Sequence, residues 1–161
     1  LKSLTEEVYE LMSRPKNAKP ISLSFDFGDV EPIVFGDADK LKQVLVNLLI
    51  NANQATSEKG IVEIKAMTTT RKEHPYFEVK IVDSGVGIAP EIISKIFDPF
   101  FTTKKGNQGT GLGLSISYRI IEDHGGTSEI SSDLGEGSEF TILLPSSMNR
   151  VSTESYREEE V

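Results

Sequence analysis

Two asparagine side chains stand one helical turn apart in an otherwise aliphatic stretch, a spacing that could serve a hydrated metal ion. Asn47, Asn51 and Gln54 form a polar stripe beside apolar residues that recur every three or four positions. A buried amide needs a hydrogen-bonding partner, and its oxygen suits Mg²⁺, which usually takes one or two protein ligands beside phosphates and water. Taken alone, however, the stripe is explained better by amides that hydrogen-bond to neighbouring backbone than by a metal site.

A carboxylate follows a predicted strand about thirty residues later. Apolar and polar residues alternate from Phe77 to Val82, as in a half-buried strand, and the strand runs into Asp83 and two glycines, Gly85 and Gly87. A carboxylate at a strand end can accept a hydrogen bond from an exocyclic amine such as that of adenine, and glycines let the backbone approach a flat ring. Asp-Ser-Gly is also a common turn signal, so what points to a nucleotide site is its position after the helix that contains Asn47 and Asn51.

A glycine-rich run, Gly109 to Leu114, immediately precedes a helical pattern. Glycines that open a helix expose backbone N–H groups and the positive end of the helix dipole to phosphate. The run has neither the Gly-Lys-Ser/Thr ending of a P-loop nor the spacing of a dinucleotide fold. A lone run of this kind is more often a flexible linker. As the third of three elements in order, it predicts a magnesium-nucleotide site.

Four motifs in this order resemble the catalytic ATP-binding domain of sensor histidine kinases, within the superfamily that includes gyrase, Hsp90 and MutL ATPases. The motifs are similar to the N box from Gln43 to Ala52, the first glycine box from Asp83 to Gly87, the F box from Phe97 to Thr103, and the second glycine box from Gly109 to Gly113. The resemblance covers roughly Leu1 to Pro145 and implies the Bergerat-type ATP-binding fold.

The resemblance implies a role for each matching residue. Asn51 would bind Mg²⁺, Asn47 would stand in the phosphate and metal shell, and Asp83 would bind the adenine amine. A lid over the phosphates would run from about residue 97 to 111. The other residues that the resemblance implies for ATP binding are Gly85, Gly87, Ile88, Phe97, Thr103, Gly109, Thr110, Gly111, Leu112, Gly113 and, directly or through water, Thr141.

The residue at position 47 separates kinases from hydrolases in this superfamily. The hydrolysing members place a glutamate there, which can act as a general base on water, whereas the amide of Asn47 cannot accept that proton at neutral pH. We therefore expect a histidine kinase domain that keeps ATP intact until a protein acceptor arrives. A self-sufficient ATPase and a non-catalytic docking module with the same fold are the alternatives. Asn47 disfavours the first, and the intact glycine boxes disfavour the second.

The chain departs from the best-known kinase pattern just after the N box. A lysine and a tyrosine that meet phosphate and adenine in many relatives are replaced by Gln54 and Ala55, a form that resembles the nitrogen-regulation branch. Lys104 and Lys105 in the predicted lid are the expected substitutes and could neutralise phosphate charge during transfer. Simple solvation of a lysine pair on a loop is the competing interpretation. The F-box aromatics either anchor the lid or face the acceptor hairpin.

Neither histidine of the chain fits the acceptor context, a helical histidine followed by an acidic residue and a proline. His74 precedes a proline in a charged stretch, and His124 stands before two glycines at a predicted helix end, where imidazole is ordinary structure. We expect the phosphorylated histidine in a dimerisation hairpin upstream of Leu1, and we interpret the chain as a fragment. A response regulator would then be an indirect partner.

Composition indicates one domain. The 161 residues are 37% hydrophobic, include no cysteine and carry a formal charge of −8. The charge disfavours a nucleic-acid partner, and the absence of cysteine excludes disulfides and fits the cytoplasm. No signal peptide or apolar run long enough to span a bilayer is present, so we expect no direct membrane contact by this domain.

The predicted architecture is a two-layer α/β sandwich, a mixed sheet covered on one face by helices. We expect one domain over residues 1–145 and a polar tail over residues 146–161. The predicted connection between the third and fourth strands is long and carries Arg71 to Pro75. Predicted helices cover residues 1–13, 40–57, 90–96 and 112–124, and predicted strands cover residues 21–27, 32–35, 61–69, 76–82, 127–132 and 139–144.

Overall fold

The computed structural model describes residues 1–13, 20–28, 32–104 and 109–148. The helices in these ranges are α1 (Lys2–Ser13), α2 (Ala38–Ala55), α3 (Pro90–Ile93) and α4 (Gly113–Asp123). The strands are β1 (Ile21–Asp26), β2 (Pro32–Ile33), β3 (Val62–Arg71), β4 (His74–Asp83), β5 (Thr127–Asp133), β6 (Gly137–Pro145) and β7 (Ser147–Met148). No helix within the described ranges is long and apolar enough to cross a membrane.

Five strands form one mixed sheet in the order β1-β3-β4-β6-β5. Strands β1 and β3 are parallel, whereas the β3–β4, β4–β6 and β6–β5 pairs are antiparallel. Strands β2 and β7 form a separate antiparallel pair. Helices α1, α2 and α4 pack together on one face of the large sheet. The predicted two-layer sandwich with a mixed sheet is confirmed.

Helix α2 is fixed in the centre of the core by its apolar stripe. The buried residues of the stripe are Leu41, Val44, Leu45, Leu48, Leu49 and Ala52. They face the buried side chains of β4 and β6, among them Phe77, Ile81 and Ile142. Full burial of one such aliphatic side chain contributes about 1.5 to 3 kcal/mol. Six residues on one face therefore hold the helix firmly, and the polar stripe beside them has a fixed direction.

The start of α2 is tied to the end of α4. The Asp37 carboxylate caps α2 by accepting hydrogen bonds from the backbone N–H groups of Asp39 and Lys40. The Asp37 backbone N–H in turn donates to Nε2 of His124 at 3.0 Å, and Nδ1 of this imidazole lies 2.7 Å from the Ile120 carbonyl oxygen. His124 thus has the structural role that its place at a helix end predicts.

The sheet has an apolar face against the helices and a charged face on the other side. Along β6, Phe140, Ile142 and Leu144 belong to the core, and the residues between them point to the opposite face. On that face Lys80 pairs with Glu139 at 2.9 Å, and Arg71 pairs with Glu129 at 2.7 Å. This alternation decides which residues of β6 can reach the helical layer.

The structure corrects three boundaries. Arg71 pairs directly with His74, so β3 and β4 are joined by a two-residue turn with positive φ at Lys72 and Glu73, not by a long connection. Neither residue is the Asn or Gly that usually signals such a turn, which explains the error. Helix α3 ends at Ile93, three residues before the predicted end at residue 96. Strand β7 lies beyond residue 145, where the polar tail was predicted to begin, because its backbone pairs with β2. The tail from residue 149 onward lies outside the described residues.

Candidate functional site

A cavity of about 530 Å³ opens between α2, the chain after β4, residues 101–104 and the start of α4. This volume is in the range of small-molecule sites, which are typically about 300 to 1,000 Å³. Its apolar lining residues are Ile50, Ala52, Ala55, Val86, Ile88, Ile92, Ile96, Phe101, Leu114 and Phe140. Its polar lining side chains are Asn47, Asn51, Gln54, Asp83, Thr102, Thr103, Lys104, Thr110 and Ser138. A few polar groups on apolar walls suit a ring that carries a charged group.

Asp83 is a buried carboxylate with one oxygen already engaged. It is the last residue of β4 and is only 4% exposed. Its Oδ1 accepts a hydrogen bond from the Gly85 backbone N–H at 2.8 Å, and Ser138 supplies further hydrogen bonds from its backbone and side chain. Burial raises the pKa of Asp83, although the hydrogen bonds from Gly85 and Ser138 oppose this rise. Such a carboxylate can fix one donor group of a ligand in a set direction.

The glycines after Asp83 allow two close backbone contacts. A Cβ on Gly85 would lie 2.6 Å from the Ala55 carbonyl oxygen and equally near Asp83 Oδ1. A Cβ on Gly87, whose φ is +68°, would lie 2.0 Å from the Asp133 carbonyl oxygen. The chain is therefore held between the end of α2 and the end of β5, and larger residues would push it off the cavity wall.

The α2 amides point towards two different elements. Asn47 Nδ2 lies 3.4 Å from both the Gly113 carbonyl oxygen and the Ser117 hydroxyl of α4. Asn51 Oδ1 accepts a hydrogen bond from the Lys104 ammonium at 3.0 Å, and Gln54 Oε1 accepts another from the same ammonium. Burial lowers the pKa of Lys104. The Asn51 amide oxygen thus faces the cavity, where it binds the cationic ammonium of Lys104.

Residues on both sides of positions 105–108 meet at the cavity. The Phe100 backbone N–H donates to the Gly111 carbonyl oxygen at 2.9 Å, and a Cβ on Gly111 would lie 2.4 Å from the Phe100 carbonyl carbon. The Thr102 hydroxyl accepts from the Lys104 backbone N–H at 3.2 Å. Among the residues that the structure describes, no side chain caps the first turn of α4 at Leu112. That helix terminus is therefore open to an anionic group.

Most of the predicted site residues line one cavity. They are Asn47, Asn51, Asp83, Gly87, Ile88, Thr103, Lys104, Gly109, Thr110, Gly111 and Gly113. Gly85 does not line it but fixes the carboxylate that does. Leu112 begins α4 without reaching the cavity, and Phe97 packs on Tyr118 with ring centroids 5.2 Å apart. Lys105 lies outside the described residues.

The structure corrects the prediction that Thr141 helps to hold adenine, because Thr141 does not line the cavity. It lies on the charged face of β6, where its hydroxyl is 3.4 Å from Glu139 Oε1, whereas Ser138 and Phe140 of the same strand line the cavity. Gln54 and Phe101 are further lining residues that sequence reasoning did not include. Gln54 continues the polar stripe of α2, so its periodicity carried a usable signal. The choice between Ser138 and Thr141 depends on which face of β6 meets the helices.

Three kinds of comparison with known proteins give consistent matches. Residues 36–148 match the family described as histidine kinase-, DNA gyrase B- and HSP90-like ATPases. The sensor histidine kinase ZraS of Escherichia coli K12 is 39% identical over 150 residues, which are 93% of this chain and 31% of ZraS. The chain thus spans slightly less than one third of the length of this curated relative.

Two solved structures of histidine kinase ThkA resemble this fold. Its catalytic domain is 38% identical with a TM-score of 0.75, and the match covers 90% of this chain and 91% of that one. ThkA in complex with the response regulator protein TrrA is 35% identical with a TM-score of 0.72, and the match covers 91% of this chain and 40% of that one. The chain therefore belongs to the histidine kinase-, DNA gyrase B- and HSP90-like ATPase family, as a catalytic ATP-binding domain of the histidine kinase type.

Proposed function

We propose that this domain binds Mg·ATP and presents the γ-phosphate to a histidine on a separate helical hairpin of the same kinase. The observation that carries the proposal is that one cavity contains both a buried carboxylate, Asp83, and an amide oxygen, Asn51 Oδ1, that already binds a cation. The first group suits the adenine amine, and the second suits a metal that bridges phosphates.

Adenine fits the part of the cavity around Asp83. The carboxylate would accept a hydrogen bond from the exocyclic amine, because Gly85 and Ser138 hold its orientation. Ile88 and Phe140 supply apolar surface for the ring, and Gly87 lets the backbone lie close to it. Ser138, not Thr141, takes the part of the hydroxyl on the last strand of the site.

The phosphates fit the part of the cavity around α2 and the start of α4. Asn51 Oδ1 would hold Mg²⁺, with Asn47 beside the same phosphate oxygens, and Mg²⁺ when bound neutralises charge on the phosphates. Gly109, Gly111 and Gly113 would offer backbone N–H groups at the α4 terminus. Lys104 lines this region of the cavity. We propose Lys105 as a second residue that contacts phosphate.

Transfer to a protein acceptor is favoured over hydrolysis by the chemistry of Asn47. Its amide cannot remove a proton from water, so this side chain supplies no general base for hydrolysis. An imidazole of the acceptor hairpin would attack the γ-phosphorus in line, and the bond to ADP would break as the new bond forms. The chain would contribute positioning and charge neutralisation, which are the main protein contributions to phosphoryl transfer.

The proposal is tested by three measurements on the chain. Saturating Mg·ATP at 100 times its dissociation constant adds about 2.7 kcal/mol of stability, so we expect the melting temperature to rise by roughly 5 to 11 °C. In the presence of the chain, labelled ATP should phosphorylate the helical hairpin of the full-length kinase when the hairpin is supplied as a separate protein. Without the hairpin, phosphate release should stay at background. Steady release would favour the self-sufficient ATPase, and no thermal shift would favour a docking module.

Phe100 is the residue that we assign to the contact with the acceptor hairpin. Phe100 is 74% exposed and its φ is +69°, an unfavourable conformation for a non-glycine residue that contact with Gly111 maintains. Phe97 and Phe101 instead pack against the core. Strain that displays an aromatic ring in solvent suits a partner surface.

Replacing Phe100 by alanine is expected to slow phosphotransfer to the hairpin about tenfold, because an aromatic contact at an interface contributes on the order of 1 to 2 kcal/mol. Nucleotide affinity should stay the same, since this ring does not line the cavity. The matched control is Phe35→Ala, which removes another ring that is 80% exposed. Equal phosphotransfer rates for Phe100→Ala and Phe35→Ala would show that Phe100 does not contact the hairpin.

We also propose a response regulator as an indirect partner and the cytoplasm as the location. The complex of ThkA with the response regulator protein TrrA supports the first. The absence of cysteine is compatible with the second.

A further inference from the structure

We propose that Lys104 and Mg²⁺ are alternative partners of Asn51, so that Lys104 must leave this amide when Mg·nucleotide binds, and that Gln54 is a positioning residue that holds Lys104 in the resting state. This inference rests on the proposed function, because it concerns the metal of the nucleotide complex. It makes the nucleotide-free site a closed arrangement with its own cation, the lysine ammonium.

The contacts place the ammonium on the amide stripe of α2. Lys104 Nζ lies 3.0 Å from Asn51 Oδ1 and also contacts Gln54 Oε1, three residues further along the same helix face. The backbone N–H of Lys104 donates to the Thr102 hydroxyl, and a Cβ on Gly109 would lie 3.1 Å from Lys104 Cδ. The main chain and the side chain of Lys104 thus both have defined contacts in the nucleotide-free site, and the two acceptors of the ammonium are neutral amide oxygens.

Asn51 Oδ1 cannot serve both cations. Mg²⁺ requires its oxygen ligands at about 2.0 to 2.1 Å and in near-octahedral geometry. An ammonium retained on the same oxygen would stand next to a divalent ion of like charge with no carboxylate between them. The four-carbon stem of lysine lets the ammonium move without moving its backbone, and phosphate oxygens that arrive with the metal offer it a better partner than an amide does.

Gln54 therefore sets the balance between the two occupants. It stabilises the resting position of Lys104, but the ammonium can reach phosphate without it. Removing the Gln54 amide should favour Mg·nucleotide binding, because only the competing resting state loses a hydrogen bond. Removing the Lys104 ammonium should have two opposed effects, since the competitor for Asn51 and a counter-charge for phosphate disappear together.

The test measures binding of an imido analogue of ATP by calorimetry at a series of Mg²⁺ concentrations. For Gln54→Leu we expect the Mg²⁺ concentration at half-maximal binding to fall about 3- to 10-fold, the net effect of one solvent-exposed hydrogen bond, with no loss of affinity at saturating Mg²⁺. For Lys104→Met we expect the Mg²⁺ midpoint to fall as well, with weaker affinity at saturation. Lys95→Met removes an exposed lysine and should change neither quantity.

A second readout uses the nucleotide-free protein. The NMR signals of the Asn51 and Gln54 side-chain amides should shift in Lys104→Met but not in Lys95→Met. Unmoved signals, or midpoints that stay equal to or rise above that of the parent in both cavity variants, would overturn the inference. Failure of the parent to bind the analogue at saturating Mg²⁺ would overturn the proposed function instead, and the amide signals would still decide the resting contact.

Discussion

Asp83→Asn should weaken binding of Mg·ATP about 100-fold, equivalent to about 2.7 kcal/mol. In the parent, the carboxylate accepts hydrogen bonds from the Gly85 backbone N–H at Oδ1 and from Ser138, and its remaining acceptor capacity is available to the adenine amine. With asparagine, the side-chain oxygen keeps the bond to Gly85, so the NH₂ group is turned towards the amine. Two donors then face each other in a buried site, which costs more than the loss of one hydrogen bond.

Calorimetry with ATP and GTP checks this prediction. The parent should discriminate strongly against GTP, whose ring presents an oxygen where adenine presents an amine, and Asp83→Asn should lose most of this discrimination. The matched control is Asp133→Asn, an exposed carboxylate at the end of β5 that should leave both affinities unchanged. Parent-like affinity for ATP in Asp83→Asn would place adenine elsewhere.

The same variant separates loss of binding from loss of folding. Burial raises the pKa of Asp83 above its ordinary 3.8, so the ionised form is disfavoured in the folded state. The parent therefore loses stability as the pH rises from below 3.8 through the folded pKa, a loss that asparagine does not share. We expect nucleotide-free Asp83→Asn to be at least as stable as the parent at neutral pH, with its advantage shrinking as the pH falls. Urea unfolding at several pH values measures this, and a less stable variant at neutral pH would contradict it.

Gly137→Ala is expected to lower the free energy of unfolding by about 3 kcal/mol or more, which corresponds to a fall of roughly 6 to 12 °C in melting temperature. The φ of Gly137 is +111°, and a Cβ there would lie 1.9 Å from the Asp83 carbonyl oxygen. The contact is with backbone, so no side-chain rotation can relieve it. Because β6 must then move away from β4, we also expect nucleotide binding to fall.

Gly135 provides the matched control for this prediction. It has a φ of +87° two residues earlier, but a Cβ there would meet no atom of the described part of the chain within 4 Å. Gly135→Ala should therefore show only the conformational cost of a left-handed alanine, about 1 to 2 kcal/mol. Equal losses for the two variants in urea unfolding would show that φ alone, and not the contact with Asp83, requires glycine at position 137.

The helices and strands that carry the site follow from local patterns in the sequence. The apolar stripe of α2 implies a fixed polar stripe with Asn47 and Asn51, and the alternation along β4 places Asp83 at a strand end. These inferences depend on the periods of 3.6 and 2, which are local properties of the backbone. The glycine-rich runs likewise indicate close approach of the backbone wherever they occur. Local periodicity and the order of the motifs were therefore enough for the fold class and for about half of the residues that line the cavity.

Contacts between side chains that are distant in the sequence depend on tertiary packing. The pairing of Ser138 with Asp83 turns Ser138 towards the cavity and Thr141 away from it, and a shift of one residue would reverse this. Lys104 meets Asn51 across 53 positions, and β7 pairs with β2 beyond the predicted end of the domain. Strand register and long-range contacts arise from packing between distant segments, so no local pattern of residues contains them.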